Sequence, residues 1–181
     1  MVHRAYLKYA KEGGDGVFFD AFEWENKFQL TETGKYPVDI GLITEIEITH
    51  KSGDPYEFKI GPLFQTEFGK LQLNANPFFE RKWHGDEAHE DELHKTEIGY
   101  QWQAKYRWHP EFEFGVQGFG EMGKWNDWAP HNEQYQRMGP AVFGKIAIGG
   151  RQKLQYNAAW LFGVTNAASD HTFRMQLEYE F

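Results

Sequence analysis

The densest set of metal-capable side chains in this 181-residue chain is the run from His84 to His94, where three histidines and five acidic residues share one short segment. Imidazole with carboxylate suits zinc, copper or nickel, and carboxylates alone suit calcium or magnesium. His84, His89, His94, Asp86 and Glu90 are therefore the candidate ligands of a divalent cation, and no other cofactor is expected. The even spacing of the histidines fits no compact tetrahedral motif, so a solvated acidic loop is the simpler reading. Acid–base or nucleophilic chemistry needs a base within hydrogen-bond reach of a hydroxyl or a water. The candidate bases are His50, His109, His131 and His171, and the loop hydroxyls are Ser52 and Ser169. The adjacent Asp170-His171 pair is of a kind common in loops. Nothing here marks a catalytic centre, and the chain is expected not to be an enzyme.

The elements that would carry these residues are legible from composition and periodicity. A net charge of -8 leaves no basic footprint for nucleic acid. The absence of cysteine removes disulfide and thiolate frameworks. Aromatic residues make up 18 % of a chain whose mean hydropathy is -0.72. Such a chain needs a fold that shows rings to an apolar phase while keeping polar groups elsewhere. No apolar run is long enough for a membrane-spanning helix. Met1 leads directly into Val2-His3-Arg4-Ala5-Tyr6-Leu7, without an apolar leader or a small-residue cleavage site. The chain is therefore read as a mature protein with its signal peptide removed, as a fragment, or as a soluble protein.

A period of two runs through most of the sequence. Thr96, Ile98, Tyr100, Trp102, Ala104, Tyr106 and Trp108 alternate with Glu97, Gly99, Gln101, Gln103, Lys105 and Arg107. A helix cannot separate these sets, and a strand separates them completely. Read this way, the chain has about ten strands, near 2–11, 17–30, 37–49, 55–67, 70–83, 94–108, 111–125, 134–147, 153–164 and 172–181. Most exceed the usual globular strand of about 5–6 residues and match the ~9–11 that a tilted strand needs to cross a bilayer. Short turns at Phe68-Gly69, His109-Pro110 and Gly149-Gly150 alternate with longer polar loops at 51–55, 84–92, 126–133 and 166–171, as in outer-membrane barrels. Pro62, Pro77 and Pro140 count against this reading, because each removes a ladder donor. A bulge, or a place where strands already splay, would accommodate them.

The polar parity carries charges that can pair across a lumen: Glu23, Glu25, Lys27, Glu45, Glu47, Lys59, Glu97, Lys105, Arg107, Glu113, Glu121, Arg137, Lys145, Arg174 and Glu178. Rings gather near strand ends. Tyr106, Trp108, Phe112, Tyr179 and Phe181 fall on the short-turn side, and Tyr56, Trp83, Trp125 and Trp128 on the long-loop side. Two girdles are expected where rings meet headgroups. A soluble lipocalin-like barrel also alternates, with its apolar face inward, and is the competing fold.

The chain's end, Phe173-x-Met175-x-Leu177-x-Tyr179-x-Phe181, resembles the C-terminal assembly signature of bacterial outer-membrane proteins. More widely, Trp24 to Phe181 resembles an uncharacterised group of proteobacterial outer-membrane proteins. The resemblance implies a bacterial outer-membrane location and partners in lipid, lipopolysaccharide and the barrel-assembly machinery. It carries no catalytic residues.

Segments also recur. Gly61-Pro62 and Lys70-Leu71-Gln72-Leu73-Asn74-Ala75 return as Gly139-Pro140 and Lys153-Leu154-Gln155-Tyr156-Asn157-Ala158, and Phe22 to Phe28 parallels Tyr100 to Tyr106. The expected fold is thus an all-β, antiparallel, up-and-down transmembrane β-barrel forming a single domain over 1–181. It is either a barrel of about ten strands or a piece of one of about twelve. The expected role is a passive small-solute or ion channel, or a structural barrel, with a charged lumen. The alternative is a barrel that binds a divalent metal or small ligand through loop 84–94.

Overall fold

Regular structure in the computed structural model consists of strands alone among the described residues, which are 2–10, 18–86, 93–149 and 152–180. In chain order these are β1 (Val2–Ala10), β2 (Phe18–Gln29), β3 (Asp39–Thr49), β4 (Tyr56–Phe68), β5 (Leu71–Trp83), β6 (Thr96–His109), β7 (Phe112–Lys124), β8 (Asp127–Trp128), β9 (Tyr135–Gly149), β10 (Gln152–Gly163) and β11 (His171–Glu180). The fold is an antiparallel meander in the order β1-β2-β3-β4-β5-β6-β7-β9-β10-β11. The period-two pattern becomes the pleat, and the expected strands appear with their bounds within two residues of their positions.

One expected loop is more ordered than anticipated. The segment 126–133 contains β8, which folds back to pair Gly123 with Trp128 and Lys124 with Asp127. Two residues are too few for periodicity to register. The ladders also lapse beside the prolines, without any change of register. β4 and β5 pair at Ile60↔Phe79 and resume at Phe64↔Ala75, while β9 and β10 pair at Ala159↔Ala141 and resume at Phe162↔Met138. The expected accommodation is therefore splaying, not a bulge.

The sheet curls until its first and last strands approach. Arg4 Nε of β1 lies 2.7 Å from Glu178 Oε1 of β11. Among the described residues no backbone ladder joins these two edges. Side-chain charge bridges the seam, and the result is a barrel-like, partly closed sheet.

The convex face carries the rings. Trp160, Phe173, Met175, Leu177 and Tyr179 are exposed on it, and Trp102 lies half-buried over its neighbour strand. Tyr100 and Trp102 of β6 cover Gly120 and Gly118 of β7, where any Cβ would collide with the ring above. Glycine exposes backbone in a strand, and a cross-strand ring restores packing over it. At the short-turn end, Tyr106, Trp108, Phe112 and Phe114 form a ring cluster with centroids 5.6–6.5 Å apart. At the other end Tyr56 meets Trp83 edge-on at 6.1 Å, and Trp125 and Trp128 are exposed. Two long loops there are tied together, since buried Thr165 donates to Gln134 O at 2.6 Å and accepts from Gln136 N at 3.1 Å.

Candidate functional site

Strand register decides which charges meet on the concave face. Glu45 and Lys59 are direct cross-strand partners on β3 and β4. They close to 2.8 Å, and Lys59 also lies 3.7 Å from Glu80 of β5. On β2, Glu25 and Lys27 share one parity, which brings Lys27 Nζ to 2.8 Å of Glu25 Oε2. Arg4 approaches the other oxygen of Glu25 at 3.5 Å. Near the short-turn end, Lys105 pairs with Glu113 at 2.7 Å, and Arg107 bridges Glu67 at 2.5 Å and Glu113 at 3.9 Å. Near the opposite end, Lys82 lies 3.7 Å from Glu57. A carboxylate held away from bulk water needs such a partner.

The remaining expected lumen charges also have defined places. Glu23 stands opposite Glu47, and Glu97 opposite Glu80. Glu121 is exposed near the long-loop end of β7. The Arg137 guanidinium lies 4.6 Å over the Tyr135 ring and reaches Thr172 Oγ1 at 3.5 Å. Lys145 and Glu178 line the same cavity as Lys105. Arg4, Glu57, Glu67, Glu80 and Lys82 were absent from the expected set, although the parity rule that selected Lys59 and Lys105 selects them too.

Rings are not confined to the convex face, which corrects the simplest form of the alternation rule. Phe78, Phe119 and Phe143 turn inward, each beneath a cation. Lys59 Nζ lies 5.2 Å from the Phe78 centroid, Lys105 Nζ 5.4 Å from Phe143, and the Arg174 guanidinium 5.3 Å from Phe119. Cation–π attraction explains how rings and ions share one wall. Phe143 also joins Ala141, Ala159 and Leu161 in a small buried cluster, with Phe119 packed against it.

Neutral amides form a second inner network. Gln72 Nε2 donates to Asn74 Oδ1 at 2.8 Å, and Gln103 Nε2 to the same oxygen at 3.0 Å. Asn74 Nδ2 donates to Gln65 Oε1 at 3.0 Å, and Gln117 Nε2 to Gln103 Oε1 at 3.4 Å. This network joins β4 to β7. Around it lie three cavities of about 460, 570 and 290 Å³, and Lys27 and Gln176 line all three. The cavities are therefore contiguous compartments of one concave space.

Loop 84–94 divides across the limits of description. His89 and Glu90 lie outside the described residues. The His84 ring stacks on Tyr56 at 4.8 Å, Asp86 N donates to Gly53 O at 3.0 Å, and His94 N donates to Lys82 O at 2.9 Å. A different carboxylate group, Glu23, Glu25 and Glu45, brings its oxygens within 4.8 Å of one another. Lys27 and Lys59 already sit against Glu25 and Glu45.

The candidate bases are dispersed. His50 contacts the Phe19 ring at 5.2 Å, and His171 contacts Trp160 and Phe162 at 6.2 and 5.5 Å. His109 Nδ1 accepts from Glu111 N at 3.4 Å, and His131 is exposed. The Ser169 hydroxyl pairs with Tyr135 at 2.9 Å, and Ser52 is exposed in its loop. Of the C-terminal signature, Phe173, Met175, Leu177 and Tyr179 share the convex face, and Phe181 lies outside the described residues. Comparison with protein-family models, curated proteins and solved structures finds no match.

Proposed function

We propose that this chain is a bacterial outer-membrane β-barrel whose concave face forms a narrow polar conduit for small ions or solutes. One observation carries the reading. Paired ions and contiguous cavities occupy the concave face, while exposed rings and aliphatic side chains cover the convex one. A soluble carrier inverts that arrangement, keeping its apolar face around the ligand. Ring clusters near both strand ends fit the depth at which rings meet headgroups. The resemblance of the chain's end to the outer-membrane assembly signature agrees, and it brings lipopolysaccharide and the assembly machinery in as partners.

A barrel this small is narrow. Open aqueous channels are typical of about 16–18 strands, so flux here is expected to be low and restricted to small solutes. The test is reconstitution. Protein folded into vesicles should migrate faster on mild-detergent gels before heating than after, and should give discrete current steps in a planar bilayer. Heat-modifiable migration without current would leave a plugged structural barrel. Absence of both would remove the membrane reading altogether.

A further inference from the structure

We infer that the amide-lined cavity on the concave face is a binding site for neutral polyhydroxylated solutes, that is, sugars or polyols; the inference rests on the concave face being a solute path. The charges of this face are largely spoken for by one another, whereas one amide oxygen on β7 and one on β10 are not. Gln117 is 4 % exposed and its Nε2 is used by Gln103, yet its Oε1 has no hydrogen-bond partner among the described residues. Asn157 Oδ1 is buried and unpartnered in the same way. Both side chains line the cavity of about 460 Å³, with Gln103, Phe119, Arg174 and Gln176. A buried acceptor left without a donor is costly, so these two oxygens favour an occupant that brings donors.

The chemistry of the wall selects which occupant. A carboxamide donates and accepts but carries no net charge, and a hydroxyl likewise donates and accepts. The charged groups that border this cavity are already engaged, Lys27 by Glu25 at 2.8 Å, Asp39 by Gly34 N at 2.9 Å and Arg174 by the Phe119 ring, so an ion entering here exchanges its hydration mainly for amide dipoles. A sugar or polyol exchanges its water hydrogen bonds for amide ones. Phe119 adds an apolar wall for the C–H face of a ring, and Arg174, 5.3 Å over it, adds a fork of donors. The volume lies within the ~300–1,000 Å³ of small-molecule sites.

The deciding experiment uses the full chain in planar bilayers, with glucose, maltose and glycerol as probes. Potassium chloride current should fall with maltose and glucose along a saturating curve. Gln117→Leu and, separately, Asn157→Leu should each weaken the half-blocking concentration by about tenfold, the effect of one lost charge-free hydrogen bond plus its stranded partner. Heat-modifiable migration confirms that each variant is folded, and either one suffices. Current that falls only in proportion to bulk viscosity, or equal block of both variants and the parent, overturns the sugar site and leaves the conduit standing. If no current passes, the conduit reading fails. Calorimetry with maltose on protein in detergent micelles then decides the site alone: saturable heat that Gln117→Leu abolishes sustains it, and no heat overturns it.

Discussion

Pro62 of β4 and Pro77 of β5 stand opposite each other, midway between the paired residues Ile60↔Phe79 and Phe64↔Ala75. Neither has an N–H, so the two bonds that a facing pair would exchange are both missing at one point. The register survives because the paired stretches on either side constrain it. Pro140 occupies the corresponding lapse between β9 and β10, opposite Trp160. The recurrence of Gly-Pro in the sequence thus corresponds to a recurrence of the same interruption in two ladders. Pro62 and Pro77 share one interruption and so share its cost, and Pro140 makes a second interruption alone.

Placement of the proline therefore matters more than its number. Pro62→Ala is expected to change the unfolding midpoint by less than about 1 kcal/mol, since its β5 partner still lacks an N–H. Ile60→Pro removes a donor from an intact pair with Phe79 and should cost about 1–3 kcal/mol. Urea titration of vesicle-folded protein, read by gel mobility, measures both. Equal losses would show that the lapse is not what accommodates proline.

Lys59 is the hub of the inner charge network, 2.8 Å from Glu45 and 3.7 Å from Glu80. Lys59→Met strands two carboxylates and leaves the Phe78 ring without its cation. A loss of roughly 3 kcal/mol is expected, the lower end for a broken buried pair because the cavity admits water. Adding Glu45→Gln should recover a substantial part of it. Chemical denaturation of the single and double variants gives the coupling, and additive losses would dissolve the pair.

Much of this organisation is legible in the sequence. Alternation placed every long strand, because a face-separating pattern such as Thr96 to Trp108 has only one backbone that satisfies it. β8 was not readable, since two residues carry no period. Parity puts Phe78, Phe119 and Phe143 on the polar face with Asn76, Gln117 and Lys145, but periodicity says nothing of a ring seated under a lysine or arginine. Glu57, Glu80 and Lys82 share the parity of the expected charges, but their partners follow from strand register. The Arg4–Glu178 contact was beyond reach, because it joins the two strands farthest apart in the sequence across an edge that no turn connects.

Trp102 over Gly118 offers a local test of the convex surface. A Cβ at Gly118 would collide with the edge of the indole ring. Gly118→Ala should therefore displace Trp102 and cost about 1–3 kcal/mol through overpacking. Gly69, whose Cβ would meet nothing within 4 Å but whose φ is +60°, gives a contrasting control in which only the backbone is strained. Tryptophan emission should shift for Gly118→Ala and stay unchanged for Gly69→Ala. Unchanged emission in both would mean that the indole does not depend on the glycine beneath it.

The assignment of faces can be decided with lysine alone. Met175 and Val116 are exposed on the convex parity in the middle reaches of β11 and β7, Met175 also bordering one cavity from its edge strand, whereas Asn76 lines two of the concave cavities. In a membrane barrel, lysine facing lipid near the midplane costs about 2–4 kcal/mol, and lumen substitutions are tolerated. Met175→Lys and Val116→Lys should then lower the yield of vesicle-folded protein, and Asn76→Lys should leave it near the parent. In a water-soluble carrier the ranking reverses, because convex lysines become ordinary surface charges and a lysine among the inner amides disturbs the binding space. Folding yield measured for all three in parallel separates the two outcomes without knowledge of any solute. A reversed order would turn the molecule inside out, leaving the ring girdles without a headgroup layer to meet and the paired ions as the filling of a soluble barrel.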